Sequence, residues 1–305
     1  MFYWMLKWVL VGPLLKLIFR PIAVGTENVP ATGPAILASN HLSYSDWLFM
    51  PVTIPRRVTF VAKAEYFTTP GIKGWLQGKF FKGAGQVPID RSGGRVSEGA
   101  IKTGLKILGA GDLFGIYPEG TRSPDGRLYR GKTGVARMAL EAKVPVIPLA
   151  VIGTNVVAPP GRIFGRYARP VVKFGKPLDF SRYQGMEGDR FVLRSITDEI
   201  MYEILEMSGQ EYVDIYAARA KEEAQAEAKA AVAAVRAKAR EAAAAAKEEA
   251  RQAVTAVKEQ TEELVEKTAG TSEETPIDQP VSDRSGSGSP RLQPPDSGPQ
   301  GSPPK

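Results

Sequence analysis

His41 is the only histidine in the 305-residue chain, and Asp46 follows it five positions later in Asn40-His41-Leu42-Ser43-Tyr44-Ser45-Asp46. Imidazole is the one side chain whose ordinary pKa lies near neutrality, so a general base working near pH 7 has a single obvious candidate. A carboxylate bonded to one ring nitrogen fixes the tautomer and leaves the other nitrogen free to take a proton. The same two residues also fit a plainer arrangement, with His41 solvated and Asp46 complementing the dipole of a helix start.

The flanking elements decide whether the pair can meet. On a regular helix, positions five apart diverge by roughly 140° around the axis, which would hold His41 and Asp46 apart. They meet if His41 lies on a loop and Asp46 opens a helix capped by Ser43 or Ser45. Residues 34–39 read as a short buried strand, and residues 46–50 as an apolar helix start.

Further strands are expected at 57–63, 113–117, 144–151 and 170–174, with helices at 97–108, 133–142 and 191–207. Strands and helices taking turns imply an α/β fold, a mixed and largely parallel sheet flanked by helices. Residues 217–268 contain Ala, Glu, Lys, Arg and Gln with scattered Val and no Gly or Pro. This stretch predicts a helix about 78 Å long, and the Pro-, Ser- and Gly-rich residues after it predict a disordered tail.

The first residues are apolar and aromatic, with Lys7, Pro13, Lys16 and Arg20 interrupting them. The charges break the run of about 18 apolar residues that a spanning helix uses, and no basic region precedes it as in a signal peptide. With Pro13 breaking the helix, Lys16 and Arg20 share one face of a second short segment. The pattern suits an element in the membrane interface, with Trp4 and Trp8 at headgroup depth and the cations near anionic lipid. A helix packed on the protein's own body is the alternative.

The formal charge is +7 and the chain has no cysteine, which excludes disulfides, thiolate metal sites and cysteine nucleophiles. With one histidine besides, no metal site is expected. The positive excess lies in residues 1–216, with 27 Lys and Arg against 18 Asp and Glu. Such a body suits an anionic partner, and no nucleic-acid-binding module accompanies the charge.

Three other clusters stand out. Residues 85–91 place Arg91 at the end of an extended apolar run. Residues 117–123, Tyr-Pro-Glu-Gly-Thr-Arg-Ser, turn through Gly120, and a Gly-Thr-Arg turn offers N–H groups, a hydroxyl and a guanidinium to a phosphate. Residues 144–148 read as a packed apolar wall. Taken singly, Arg91 equally suits an ion pair and Gly120 a simple turn.

In their order these clusters resemble the glycerolipid acyltransferase family, whose best-known members are the lysophosphatidic acid acyltransferases. Residues 40–46, 85–91, 118–123 and 144–148 are similar to its four sequence blocks, and Lys63-Ala64-Glu65 is similar to a lysine–acidic pair between the first two. The resemblance covers about residues 25–210. It implies transfer of an acyl group from a thioester of coenzyme A or acyl carrier protein to the sn-2 hydroxyl of lysophosphatidic acid, giving phosphatidic acid without a cofactor. His41 would be the base and Asp46 its partner. Arg91, Glu119, Gly120, Thr121, Arg122 and Lys63 would hold the phosphate-bearing substrate, and Pro145, Val146 and Pro148 would line an acyl cleft.

The expected organisation is therefore a membrane-interface anchor over 1–24, an acyltransferase domain over 25–210, an Ala-rich helix over 211–268 and a tail over 269–305. The expected place is the cytoplasmic face of the plasma membrane, bound peripherally or monotopically. Partners would be the lysophospholipid, the acyl thioester, an anionic membrane surface and acyl carrier protein. A sister enzyme acting on glycerol 3-phosphate or another lysolipid is the nearest rival reading, and a non-enzymatic membrane scaffold is one of a different class.

Overall fold

In the computed structural model, which describes residues 1–89, 96–159, 162 and 165–269, the apolar run after Pro34 becomes the centre of a sheet. Seven strands among the described residues lie in the order β1 (Ile22–Val24), β8 (Val171–Phe174), β7 (Val146–Ile152), β2 (Ala35–Ser39), β5 (Leu113–Ile116), β3 (Val58–Lys63), β4 (Gln86–Ile89). Every pairing is parallel except β7 with β8. All five residues of β2 are buried, as a strand covered on both faces requires, so it reads as continuous apolar sequence rather than alternation.

The crossover helices cover both faces. On one side lie α3 (Asp46–Thr53), the short α4 (Glu65–Thr68) and α5 (Gly71–Gly83), whose Trp47, Phe49, Met50 and Phe81 pack against Leu37, Phe60 and Ile147. On the other lie α6 (Val96–Gly109), α7 (Gly134–Ala142) and α9 (Arg190–Ser208), packed on Ile36, Phe114 and Val146. Asp189 caps α9, accepting from the N–H groups of Phe191 and Val192, and Gly209 ends it in the left-handed region. The chain leaves β2 toward β3 on one side and leaves the adjacent β5 toward β7 on the other. The carboxyl ends of β2 and β5 therefore flank a topological switch point, where open α/β sheets form a binding crevice.

The helical N-terminus departs from expectation. It runs through α1 (Phe2–Met5), a π-helical turn (Leu6–Leu10) and α2 (Val11–Phe19), and Pro13 does not break it. The wider π turn accommodates the proline, which lacks an N–H and crowds the preceding turn. The 18 residues Phe2–Phe19 have a mean hydropathy of 1.5, enough by length and composition to cross a membrane. The two alternatives read from the sequence divide this helix by face. Tyr3, Leu6, Leu15 and Phe19 turn toward the body, with Val58 N–H donating to Tyr3 Oη, while Trp4, Trp8, Val9, Leu14 and Leu17 are exposed. Lys7 is not among the outward cations. It is buried, donates to Arg56 O at 2.6 Å, and burial lowers its pKa to about 8.

The packed body continues past residue 210. β9 (Tyr212–Val213) pairs in parallel with β6 (Leu128–Tyr129), and Ala217 is fully buried. A short α8 (Thr154–Val157) follows β7. The last helix, α10 (Ala217–Ala269), begins there, and the chain divides into compact units at 1–233 and 234–305. Along α10 the described residues of the second unit are exposed, as an Ala-, Glu- and Lys-rich helix without a wide apolar stripe requires. The predicted disordered tail from Gly270 lies outside the described residues.

Asn40 closes the central strands. Its side chain accepts from Val151 N–H at 2.7 Å and donates to Val151 O at 3.0 Å and to Gln210 Oε1 at 2.6 Å, with no exposure. Replacing it strands two buried backbone groups, so Asn40→Ala should destabilise by about 1–3 kcal/mol, read as a lower denaturant midpoint at unchanged slope.

Candidate active site

His41 leaves the end of β2, and Asp46 opens α3. Residues 42–45 form the loop that brings them together, with His41 Nδ1 2.8 Å from Asp46 Oδ2. The same oxygen accepts the N–H groups of Leu42 and Ser43, each at 2.9 Å. With Oδ2 already accepting two N–H groups, the tautomer that donates through Nδ1 completes its hydrogen bonds and leaves Nε2 its lone pair. Nε2 has no partner among the described residues, and the side chain of His41 is partly exposed while Asp46 is fully buried.

The serines work differently from the expected caps. Ser45 stands at the N-cap position without a side-chain capping bond. Ser43 Oγ accepts Ser45 N–H at 3.1 Å and donates to Ala158 O at 2.7 Å, tying the loop to the segment after β7. Asp46 itself takes up the loop's N–H groups, so the residue that orients the imidazole also folds the turn.

The segment after β5 forms the opposite wall. Tyr117 stacks on His41 with ring centroids 3.8 Å apart and planes 11° apart, and Phe60 stacks behind Tyr117 at 5.8 Å. Gly115 makes room for this pile, since a Cβ there would lie 2.3 Å from the Phe60 ring. Burial raises the Tyr117 hydroxyl pKa well above its ordinary value, and the Asp46 charge adds to that shift. Glu119 is buried, with Oε1 accepting His41 N–H at 2.9 Å and Oε2 accepting Tyr129 N–H at 3.1 Å. Glu119 is thus a brace beneath the loop, with both oxygens turned to the backbone. Ser123 N–H donates to His41 O at 2.8 Å, a second tie between the two segments.

Gly120, Thr121 and Arg122 lie beyond this wall at the same edge. Gly120 has φ +75°, and the Lys132 side chain lies against it, its Cε 3.0 Å from where a Cβ would stand. Lys132 has no spacing signal in the sequence. It arrives because its N–H donates to Pro118 O at 2.8 Å. Arg122 is half-buried, lies close enough to Tyr44 to influence its hydroxyl, and has no carboxylate partner among the described residues. Lys63 ends β3 at this edge and is exposed. Arg91 lies outside the described residues.

The apolar wall is elsewhere. Val146 begins β7, level with Ile36 of β2, and Pro145 O accepts Ile36 N–H. That position is five residues before His41, about 16 Å along the strand. Val146 and Pro148 are buried, packed in the sheet as core rather than along an open cleft, because β7 is covered on both faces. Among the described residues no group of three acidic or histidine side chains is placed to hold a metal.

The acyltransferase family profile matches residues 20–152. The 1-acyl-sn-glycerol-3-phosphate acyltransferase of Bacillus subtilis (strain 168) is 30% identical over 189 residues, 60% of this chain and 86% of that protein. The chloroplastic 1-acyl-sn-glycerol-3-phosphate acyltransferase LPAT1 of Arabidopsis thaliana is 33% identical over 138 residues, 45% of this chain. The match spans only 37% of the Arabidopsis protein and 38% of chloroplastic BAT2 from Brassica napus. A crystal structure of the 1-acyl-sn-glycerophosphate acyltransferase PlsC from Thermotoga maritima matches with a TM-score of 0.49 and 26% identity, over 64% of this chain and 76% of that one.

Burial raises the Glu119 pKa from 4.5 to about 8, against its two backbone hydrogen bonds, which act to lower it. Between those values the folded protein holds a proton that the unfolded chain has released. The stability from Glu119 is therefore full below about pH 4.5 and is lost as pH rises through about 8. Glu119→Gln should flatten this decline, seen as urea midpoints that change less between pH 5 and pH 8 than those of the parent protein.

Proposed function

Because the chain belongs to the acyltransferase family whose members include bacterial 1-acyl-sn-glycerol-3-phosphate acyltransferases, we propose that it acylates the sn-2 hydroxyl of lysophosphatidic acid from an acyl thioester, giving phosphatidic acid. The observation that carries this reading is the bond from His41 Nδ1 to buried Asp46, which leaves Nε2 without a partner among the described residues on a partly exposed ring beside the switch point.

In this mechanism His41 Nε2 takes the acceptor hydroxyl proton as the oxygen attacks the thioester carbonyl. The new ester C–O bond forms, the C–S bond breaks, and the imidazolium returns its proton to the departing thiolate. Asp46 stabilises the imidazolium through Nδ1, and the Tyr117 ring holds its plane. No acyl-enzyme is required, so Ser43 and Ser45 have no nucleophilic role.

Arg122 and Lys132, with the Gly120–Thr121 turn, supply the positive side of the crevice for the acceptor phosphate. Lys63 extends it, and Arg91 joins the same set through the likeness of residues 85–91 to a family block. Glu119 serves this site by holding His41 N–H rather than by meeting substrate. The donor is a thioester of coenzyme A or acyl carrier protein. The exposed face of the N-terminal helix, with Trp4 and Trp8, seats the enzyme at an anionic membrane surface where acceptor and product reside. The acyltransferase domain is followed by a helix and tail that contribute no catalytic group.

Transfer of radiolabelled acyl groups to a panel of lyso-acceptors tests the proposal. His41→Ala should lower turnover by about 10²–10⁴-fold with circular dichroism unchanged, and Asp46→Asn should be nearly as harmful. A folded His41→Ala protein with near-parental turnover would refute the mechanism.

Arg122→Ala should raise the acceptor KM by roughly ten- to a hundredfold, in keeping with hydrogen bonds to charged groups, and leave the thioester KM in place. Arg122→Lys should restore only part of the loss, because an ammonium lacks the planar fork that matches phosphate. A change confined to the thioester KM would move Arg122 to the donor site.

A further inference from the structure

Helix α5 is built inside out. Its buried positions are Gly74, Gly78 and Phe81, and its solvent face carries Ile72, Trp75 and Leu76, which are 80%, 61% and 56% exposed. The glycines explain why the helix sits this way round. A Cβ on Gly74 would lie 1.9 Å from Thr69 O and one on Gly78 3.3 Å from Phe67 O, so α4 and the turn after it pack directly on that side. Positions 72, 75, 76 and 79 then form one outward stripe at helical spacing. Lys79 lies over the Trp75 ring, its Nζ 5.6 Å from the centroid, and Lys73 and Lys82 are exposed beside it. The helix contains no acidic residue.

We propose that this face of α5 docks on an anionic lipid bilayer, with Ile72, Trp75 and Leu76 entering the apolar boundary and Lys73, Lys79 and Lys82 meeting lipid phosphates. Charge is the first argument, since three lysines without a carboxylate flank the apolar side chains, and tryptophan favours the membrane–water boundary. Continuity is the second. The far end of α5 rests on the N-terminal helix, where a Cβ on Gly83 would lie 1.8 Å from the Phe2 ring. Tyr3 and Leu6 share an apolar cavity with Trp47 and Phe80. Both helices thus cover the same face of the sheet. Ile72, Trp75 and Leu76 occupy the first half of α5, which follows the carboxyl end of β3, so they stand at the edge of the sheet from which His41 projects. The inference goes beyond the proposed reaction and does not depend on which lipid accepts the acyl group.

The test uses the full chain, whose lack of cysteine lets a thiol-reactive, polarity-sensitive fluorophore report one chosen position. Ile72→Cys carries the label, and Phe191→Cys on α9, across the sheet, is the control. With vesicles of phosphatidylglycerol and phosphatidylcholine in equal parts, the label at 72 should brighten and shift to the blue. The label at 191 should not, and vesicles of phosphatidylcholine alone should give the weaker response at 72. Ile72→Ser, Trp75→Ser and Leu76→Ser combined should lower vesicle partitioning about tenfold with circular dichroism unchanged, as expected for withdrawing three large apolar side chains. A label at 72 that stays silent while the protein sediments with vesicles would overturn the proposal, leaving the N-terminal helix as the contact. A label that responds to protein concentration without lipid would also overturn it and assign the face to a second copy of the chain.

Discussion

The two segments that leave the middle of the sheet are held together by one buried carboxylate. Glu119 follows β5, yet its oxygens hold the N–H of His41 after β2 and the N–H of Tyr129 in β6. Buried N–H groups need partners, and no strand continues far enough here to supply them. Together with the Ser123 N–H bond to His41 O, this bridge gives the loops on either side of the crevice a common reference. With it, the His41 backbone is fixed before any side chain is placed, and Asp46, Tyr117 and Ser43 then set the ring, its face and its tether. The cost is a carboxyl group kept out of water with a strongly raised pKa.

Asp46 follows the same economy. One oxygen satisfies two loop N–H groups and the imidazole, so loop conformation and tautomer are a single event. Its other oxygen, Oδ1, is buried without a hydrogen-bond partner, as is Tyr117 Oη. A site that leaves polar atoms unpaired beside a reactive ring departs from the rule kept through most of the core. Such departures gather where a fold meets its chemistry.

The sequence made the middle of the sheet legible because β2, β5 and β7 are buried almost throughout and read as continuous apolar runs, whereas β1, exposed at two of its three positions, carries no such signal. The meeting of His41 with Asp46 was legible as well, since five-residue spacing excludes one uninterrupted helix and a strand precedes the pair. What escaped were consequences of tertiary approach. Lys132 reaches Gly120 only because Lys132 N–H bonds to Pro118 O, and Tyr117 meets His41 only because β2 and β5 are neighbours. The cleft-lining role of Pro145, Val146 and Pro148 came from the resemblance alone; strand register sets Val146 level with Ile36 and Pro148 with Ala38, both buried, while Pro145 is half-buried. Lys7 misled because charge was read without the carbonyl that Arg56 offers it.

The largest thing missed was the direction of α5. Read as a pattern, alternating glycine and bulky residues give no clear face, and the element passes for filler between two strands. Its meaning comes from which side the neighbouring chain requires to be bare. Close backbone approach by Thr69 and Phe67 demands glycine inward, and that forces Trp75 and its companions out. Exposed apolar area of this kind is unfavourable in water unless something covers it. The N-terminal helix shows the same division on the same face of the sheet, with Leu15 and Phe19 turned in and Trp8 and Leu17 turned out. Two separate stretches of chain thus expose their apolar sides over one face of the sheet. In the proposed reaction such a surface lets the acceptor's charged head reach cations at the strand ends while its hydrocarbon stays out of water.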